Sequence, residues 1–122
     1  MLNVIILDDE SKAIQSLEWE LKSFCPNVNV LDTFTNPFEA KDFLLSNSID
    51  CIFLDIDMPL MDGFQFLDEF EKFGNLVKKK CKIIMLTSSI NPQDFNKAKK
   101  YLNVKLYLNK PLSHESIANI NV

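Results

Sequence analysis

Four short apolar runs each end abruptly in polar residues that can do chemistry. They are Ile5-Ile6-Leu7 before Asp8-Asp9, Cys51-Ile52-Phe53-Leu54 before Asp55, Ile83-Ile84-Met85-Leu86 before Thr87, and Leu106-Tyr107-Leu108 before Asn109-Lys110. An apolar run that stops at a charge is how a buried strand delivers a functional group to a surface. Three carboxylates gathered at one point repel, since two unit charges ~4 Å apart cost about 4 kcal/mol at an effective dielectric near 20. A site built from Asp8, Asp9 and Asp55 therefore needs a proton or a cation. All-oxygen donors partly open to water suit Mg²⁺, and three carboxylates, one such ion and the Lys110 ammonium sum to neutrality. A carboxylate is an able nucleophile toward phosphorus. The Lys110 ammonium, the Thr87 hydroxyl and a divalent cation are the groups that stabilise the oxygens of a phosphoryl group in flight. Asp55 is the expected phosphoryl acceptor.

The elements that must position these residues alternate strictly. A strand over Asn3 to Leu7, with apolar residues on both faces, suits a central parallel strand. Ile14, Leu17, Leu21 and Phe24 then recur at spacings of three and four, the stripe of an amphipathic helix that ends at Pro26-Asn27. A second strand spans Val28 to Phe34. Asn36-Pro37-Phe38-Glu39 opens a second helix with a capping residue and proline at the first helical position. After the strand that ends at Asp55, Phe64, Phe66, Leu67 and Phe70 predict a helix capped by Asp62 and closed near Gly74. Cys81 to Leu86 is the fourth strand. Asn91-Pro92 starts a fourth helix carrying Phe95, Ala98 and Leu102, Val104 to Leu108 forms the fifth strand, and Ser113 caps a last helix that looks cut short at Val122.

Five strand–helix units in alternation predict an α/β domain with a parallel sheet between two helical layers and right-handed connections. The common arrangement is the flavodoxin-like (βα)5 three-layer sandwich with strand order 2-1-3-4-5. Its function gathers at the carboxyl ends of the strands, which puts Asp8 and Asp9 beside Asp55 and Thr87 and Lys110 on the same rim.

At 122 residues, residues 1–122 are expected to form one domain. No 18-residue apolar block is present to span a membrane, and Asp8-Asp9-Glu10 interrupt the first apolar run too early for a signal peptide, so a cytoplasmic protein is expected. Cys25, Cys51 and Cys81, widely spaced and odd in number, predict buried free thiols rather than disulfides or a zinc site. The net charge of −4 and the absence of interleaved aromatics argue against direct nucleic-acid binding, with Lys78, Lys79, Lys80 and Lys82 read as a solvated loop. The chain has no arginine, so a phosphoryl group has to be held by lysine, hydroxyls, backbone amides or a metal. His114, near a helix start, is expected to be uninvolved, and Trp19, off the apolar stripe of the first helix, to have a partly exposed packing role.

Asp8-Asp9, Asp55 with Met58-Pro59 and Met61-Asp62-Gly63, Thr87, and Tyr107 with Lys110-Pro111 closely resemble the receiver domain of two-component response regulators. The resemblance covers nearly the whole chain, in order. It implies that Asp55 takes a phosphoryl group from a phosphohistidine on a sensor histidine kinase or a phosphotransfer protein. It further implies that Asp9 and Asp55 bind Mg²⁺ directly, with the backbone carbonyl of Asp57 as third protein ligand and Asp8 acting through water. Lys110, before a Pro111 peptide that is usually cis in the family, would pair with phosphoryl oxygens. Thr87 and Tyr107 would form the switch that carries the signal to the surface of the fourth helix, fifth strand and fifth helix, which can also serve a homodimer. The opening Ile5-Ile6-Leu7-Asp8-Asp9-Glu10 looks most like receivers attached to LytTR-type DNA-binding outputs, with control of transcription the expected result. Two positions depart from the family pattern: Ser88 stands where alanine or glycine is preferred, and Asn103 where glycine usually precedes the fifth strand.

Two other functions fit parts of the pattern. Phe53-Leu54-Asp55-Ile56-Asp57 also matches the DxD of haloacid-dehalogenase-type phosphatases, with Asp57 as general acid and base, although that motif normally lies near the amino terminus of a longer chain with a cap. A pseudo-receiver that binds partners without phosphorylation is the other, and intact Asp9, Asp55 and Lys110 argue against it.

Overall fold

The computed structural model describes residues 1–88, 91–110, 112, 113, 115, 116 and 120, the side chain of Leu76 excepted. The elements run β1 (Leu2–Leu7), α1 (Ser11–Phe24), β2 (Val28–Phe34), α2 (Pro37–Ser46), β3 (Cys51–Asp55), α3 (Gly63–Phe70), α4 (Asn75–Lys80), β4 (Lys82–Thr87), α5 (Pro92–Ala98) and β5 (Val104–Asn109). All pairings are parallel and the sheet order is β2-β1-β3-β4-β5, the expected flavodoxin-like arrangement.

Strand residues alternate between the two faces of the sheet, and each face has its own core. Ile5, Leu7, Ile52, Leu54, Ile83 and Met85 pack with Ala40 and Leu44 of α2, Phe64, Leu67 and Phe70 of α3 and Ala98 of α5. Val4, Ile6, Phe53, Ile84 and Leu86 pack on the other face with Ile14, Leu17 and Leu21 of α1. Because β1, β3 and β4 are covered on both faces, they read as continuous apolar runs. Each edge strand carries one extra residue against its neighbour, Leu31 in β2 and Lys105 in β5. Such bulges twist an exposed edge away from further pairing.

The caps follow the sequence. Asn36 Oδ1 accepts from the Phe38 amide at 2.8 Å and Asn91 Oδ1 from the Gln93 amide at 3.0 Å, each ahead of a proline. Asp62 and Gln65 form a reciprocal capping box at the start of α3. The Ser113 hydroxyl accepts from the Ser116 amide at 3.0 Å, as a cap should; the rest of the expected last helix, with Pro111, His114 and Ser89, lies outside the described residues. The three cysteines are buried and form no disulfide, burial pushing the Cys81 thiol up to about 12. No described helix is long and apolar enough to cross a membrane.

Several expectations need correction. The lysines at 78–80 are not in a loop but form the last turn of α4, where they complement the negative end of the helix dipole. Gly74 does not close α3, which ends at Phe70; it is the N-cap of α4 with an ordinary φ of −64°. Phe24 leaves the buried stripe of α1 and meets Trp19 edge-on at 6.1 Å, and Trp19 itself is largely exposed. Leu102 is exposed because α5 stops at Ala98, where the chain turns so that Asn103 can lead into β5. There the Asn103 side chain donates to the Lys78 and Cys81 carbonyls, tying the end of α4 to the turn before β5, a contact that a glycine could not make.

One glycine has a steric reason to be glycine. The Gly63 amide donates to the Ile56 carbonyl at 2.8 Å, and a Cβ at this position would stand 2.9 Å from both the Asp55 carbonyl oxygen and the Ile56 Cα. Backbone cannot yield as a flexible side chain does. Gly63→Ala is expected to lower stability by about 1–3 kcal/mol, the usual range for overpacking, measured as a reduced urea midpoint; an unchanged midpoint would show that the loop has room to spare.

Candidate functional site

The carboxyl ends of β1 and β3 are adjacent, with Leu7 opposite Leu54, so Asp8 and Asp55 leave the sheet side by side. Asp8 and Asp55 are buried while Asp9 is exposed, and one carboxylate oxygen from each of the three lies within 4.8 Å of the others. Asp8 is oriented from two sides: its Oδ1 accepts from the Glu10 amide at 3.0 Å and its Oδ2 from Lys110 Nζ at 2.7 Å. The same ammonium donates to Asp55 Oδ1 at 3.1 Å. Lys110 reaches this point because its amide donates to the Thr87 carbonyl at 2.7 Å, which extends the β4–β5 ladder to the rim.

Burial and the neighbouring Asp8 charge push the Asp55 carboxyl up to about 7, against the pull of Lys110. Lys110 moves the other way: burial works against its charge, but the bonds to Asp8 and Asp55 outweigh it and raise its pKa. Three acids and one lysine leave a deficit of positive charge, and the oxygen-only donor set with one exposed member fits a hard divalent cation that keeps part of its water shell.

Thr87 is fully buried at the end of β4, one step beyond the Leu86 that pairs with Asp55. Tyr107 on β5 pairs with Met85 and is half-buried, its ring edge-on to Phe95 of α5 at 5.4 Å. Its hydroxyl is buried without a well-formed hydrogen bond. Burial and the charges of Asp94 and Asp57 push the phenol up, while the nearby Thr87 side chain draws it back. Strand end, tyrosine and helix thus form a connected path from the acidic rim to α5.

The structure brings together Asp8, Asp9, Asp55 and Lys110, and sets Thr87 and Tyr107 beside them on the next two strands. Asp57 lies past the end of β3 with its side chain in solvent, and Asp62 serves as the α3 cap. Gly63, the last residue of the Met61-Asp62-Gly63 motif, abuts the Asp55 backbone. One participant escapes the sequence pattern: Phe95 roofs Tyr107, and its place on an apparent helix stripe gives no sign that it faces a strand residue instead of the core.

A model of the response regulator receiver domain matches residues 4–120. The chain belongs to the family of response regulator receiver domains of two-component systems, with the fold and acidic rim described above. Among curated relatives, it is 34% identical over 74 residues to the transcriptional regulatory protein YpdB of Escherichia coli, covering 61% of this chain and 30% of that protein. It is 35% identical over 72 residues to a protein-glutamate methylesterase/protein-glutamine glutaminase of Anaeromyxobacter dehalogenans, covering 59% of this chain and 20% of that one. The matched stretch thus spans less than a third of either relative. Among solved structures, the response regulatory domain of MrkE from Klebsiella pneumoniae is 28% identical with a TM-score of 0.81, over 97% of this chain and 90% of that one. The chemotaxis protein CheY4 of Vibrio cholerae is 26% identical with a TM-score of 0.78, over 96% and 92%.

The raised Asp55 carboxyl links stability to pH. A folded-state value near 7 against an ordinary 3.8 means that the folded protein holds a proton that the unfolded chain releases. The contribution is complete below about pH 4 and is lost as pH rises through 7. In metal-free buffer the melting temperature is expected to fall between pH 5 and pH 8, and Asp55→Asn should flatten that fall and melt higher than the parent at pH 8. A parent melting temperature that rises across the window would contradict the arrangement of charges.

Proposed function

We propose that this chain accepts a phosphoryl group on Asp55 from the phosphohistidine of a sensor histidine kinase or phosphotransfer protein, and that the resulting aspartyl phosphate switches the surface around α5 and β5. The observation that carries this reading is the convergence of three carboxylates, two of them bonded to Lys110. In the transfer, an oxygen of Asp55 forms the new bond to phosphorus as the histidine nitrogen–phosphorus bond breaks, and the freed imidazole takes up a proton. Mg²⁺, bound by the Asp9 and Asp55 carboxylates and the Asp57 backbone carbonyl with Asp8 reached through water, would screen Asp55 from its acidic neighbours and from the incoming phosphoryl oxygens. Lys110 then exchanges its hold on Asp55 for a phosphoryl oxygen, and its anchorage to the Thr87 carbonyl keeps it in reach.

The switch begins at Thr87, whose hydroxyl turns toward the phosphoryl group and releases space that Tyr107 occupies. Because Phe95 lies edge-on to Tyr107, a shift of the tyrosine moves α5, and with it a surface that serves an output or a second copy of the domain. Transcription is the output that similarity to the transcriptional regulatory protein YpdB favours, whereas similarity to the methylesterases favours an enzymatic one elsewhere in a longer chain. The receiver itself turns over no substrate beyond its own phosphoryl group. The exposed position of the Asp57 side chain and the family membership weigh against the dehalogenase-type phosphatase. A cytoplasmic site of action fits a partner that presents phosphohistidine inside the cell.

Incubation with acetyl phosphate and Mg²⁺ is expected to add the mass of one phosphoryl group. The gain should vanish with Asp55→Asn and with EDTA, and fall steeply with Lys110→Ala. Asp9→Asn should raise the Mg²⁺ concentration for half-maximal labelling by about tenfold or more, the consequence of losing ~1.4 kcal/mol of binding. Full labelling of Asp55→Asn would overturn the assignment, and sustained hydrolysis of p-nitrophenyl phosphate dependent on Asp57 would restore the phosphatase.

A further inference from the structure

Charge is divided along this chain into two unequal blocks. Residues 72–110 hold ten of the thirteen lysines and a single acid, Asp94, whereas the remaining residues hold three lysines and sixteen acids. The net charge of −4 averages over this division and conceals it.

The fold gathers much of the basic block at one end of the sheet. Lys82 opens β4, Lys105 is the bulged residue near the start of β5, and Lys99 and Lys100 follow the last turn of α5. Asn103 stitches these segments together, its side chain bonded to the Lys78 and Cys81 carbonyls and its carbonyl accepting from the Ile83 amide at 2.8 Å. Lys78 and Lys80 each approach one acid, Glu71 and Asp50, at 3.7 Å. Lys79, Lys99, Lys100 and Lys105 are exposed and make no ion pair among the described residues. Since every strand is parallel, the amino ends of β4 and β5 lie at the opposite end of the sheet from Asp8, Asp9 and Asp55, which neither neutralise these lysines nor repel what they attract.

We propose that this lysine-rich end binds the phosphate backbone of duplex nucleic acid without reading its bases. Lysine holds phosphate as a point charge, and the chain has no arginine to make paired bonds to a base edge. Protein–protein interface cores are depleted in lysine, whereas nucleic-acid interfaces are far more positively charged. These preferences favour a nucleic acid over an acidic protein surface. The expectation of no direct nucleic-acid binding rests on charge averaged over the chain and on the lack of interleaved aromatics; at this end of the sheet the lysines outnumber the acids paired with them, Glu71 and Asp50, and contact with the phosphate backbone alone needs no aromatic side chain. The proposal is independent of phosphoryl transfer and concerns the unphosphorylated chain.

The test is fluorescence anisotropy of a short random-sequence duplex over a salt series. Binding at low salt is expected to weaken linearly in log–log form as salt rises, by release of counterions. The triple variant Lys79→Gln/Lys100→Gln/Lys105→Gln should lower the slope by about 3, close to 0.9 for each phosphate no longer neutralised, and weaken low-salt binding at least tenfold. Circular dichroism should show an unchanged fold, because all three side chains are exposed. Lys12→Gln, at the start of α1 and so at the other end of the sheet, should leave binding nearly intact. Absence of binding at low salt, an unchanged slope in the triple variant, or an equal loss in the control would overturn the proposal. So would tighter binding to polyglutamate, or to anionic lipid vesicles, than to the duplex.

Discussion

The Lys110 ammonium, 2.7 Å from Asp8 and 3.1 Å from Asp55, is the contact on which the rest of the site depends. Two buried carboxylates at this range would expel one another or a proton would have to enter; the single cation holds them together without neutralising the set. Breaking such a buried cluster by removing one partner is far more costly than the cluster is worth in stability. Three acids on one rim fit an additional cation, and burial, together with the Asp8 charge, raises the Asp55 carboxyl.

Positioning that lysine takes the whole parallel sheet. Asp8 and Lys110 are separated by 102 residues and meet because β1, β3, β4 and β5 deliver their carboxyl ends to one rim. The two cores fix the register of the central strands from both faces, so neither acid can slip by one residue without turning its strand inside out. Gly63 draws the following loop against the Asp55 backbone, and the Thr87 carbonyl holds the Lys110 amide. Strand ends thus hold the acids, while Tyr107 is half-buried with Phe95, partly exposed, edge-on to its ring.

Most of this architecture was legible because its signals are local. Apolar runs that end in Asp8, Asp55 and Thr87 are strand signals that carry their own boundary, and Asn36-Pro37 and Asn91-Pro92 are caps that need no tertiary context. The errors arose where tertiary packing decides. Periodicity alone could not distinguish Phe24 and Leu102, which face solvent, from residues that face the core. The α4 lysines resembled a loop because charge suggests solvent, yet a solvated run can still complete a helix turn. The Lys110 bridge was legible only as membership of a common rim; its bonds to Asp8 and Asp55 depend on side-chain geometry that spacing does not encode. The strand end at Asp55, the exposed side chain of Asp57 and family membership together separate these two acids.

That distinction can be read chemically. After incubation with acetyl phosphate and Mg²⁺, borohydride reduces an aspartyl phosphate to homoserine, which peptide sequencing by mass spectrometry locates to a single residue. The proposed function predicts homoserine at position 55 alone; homoserine at 57 or 9, or none anywhere in a protein that retains its fold, would contradict it.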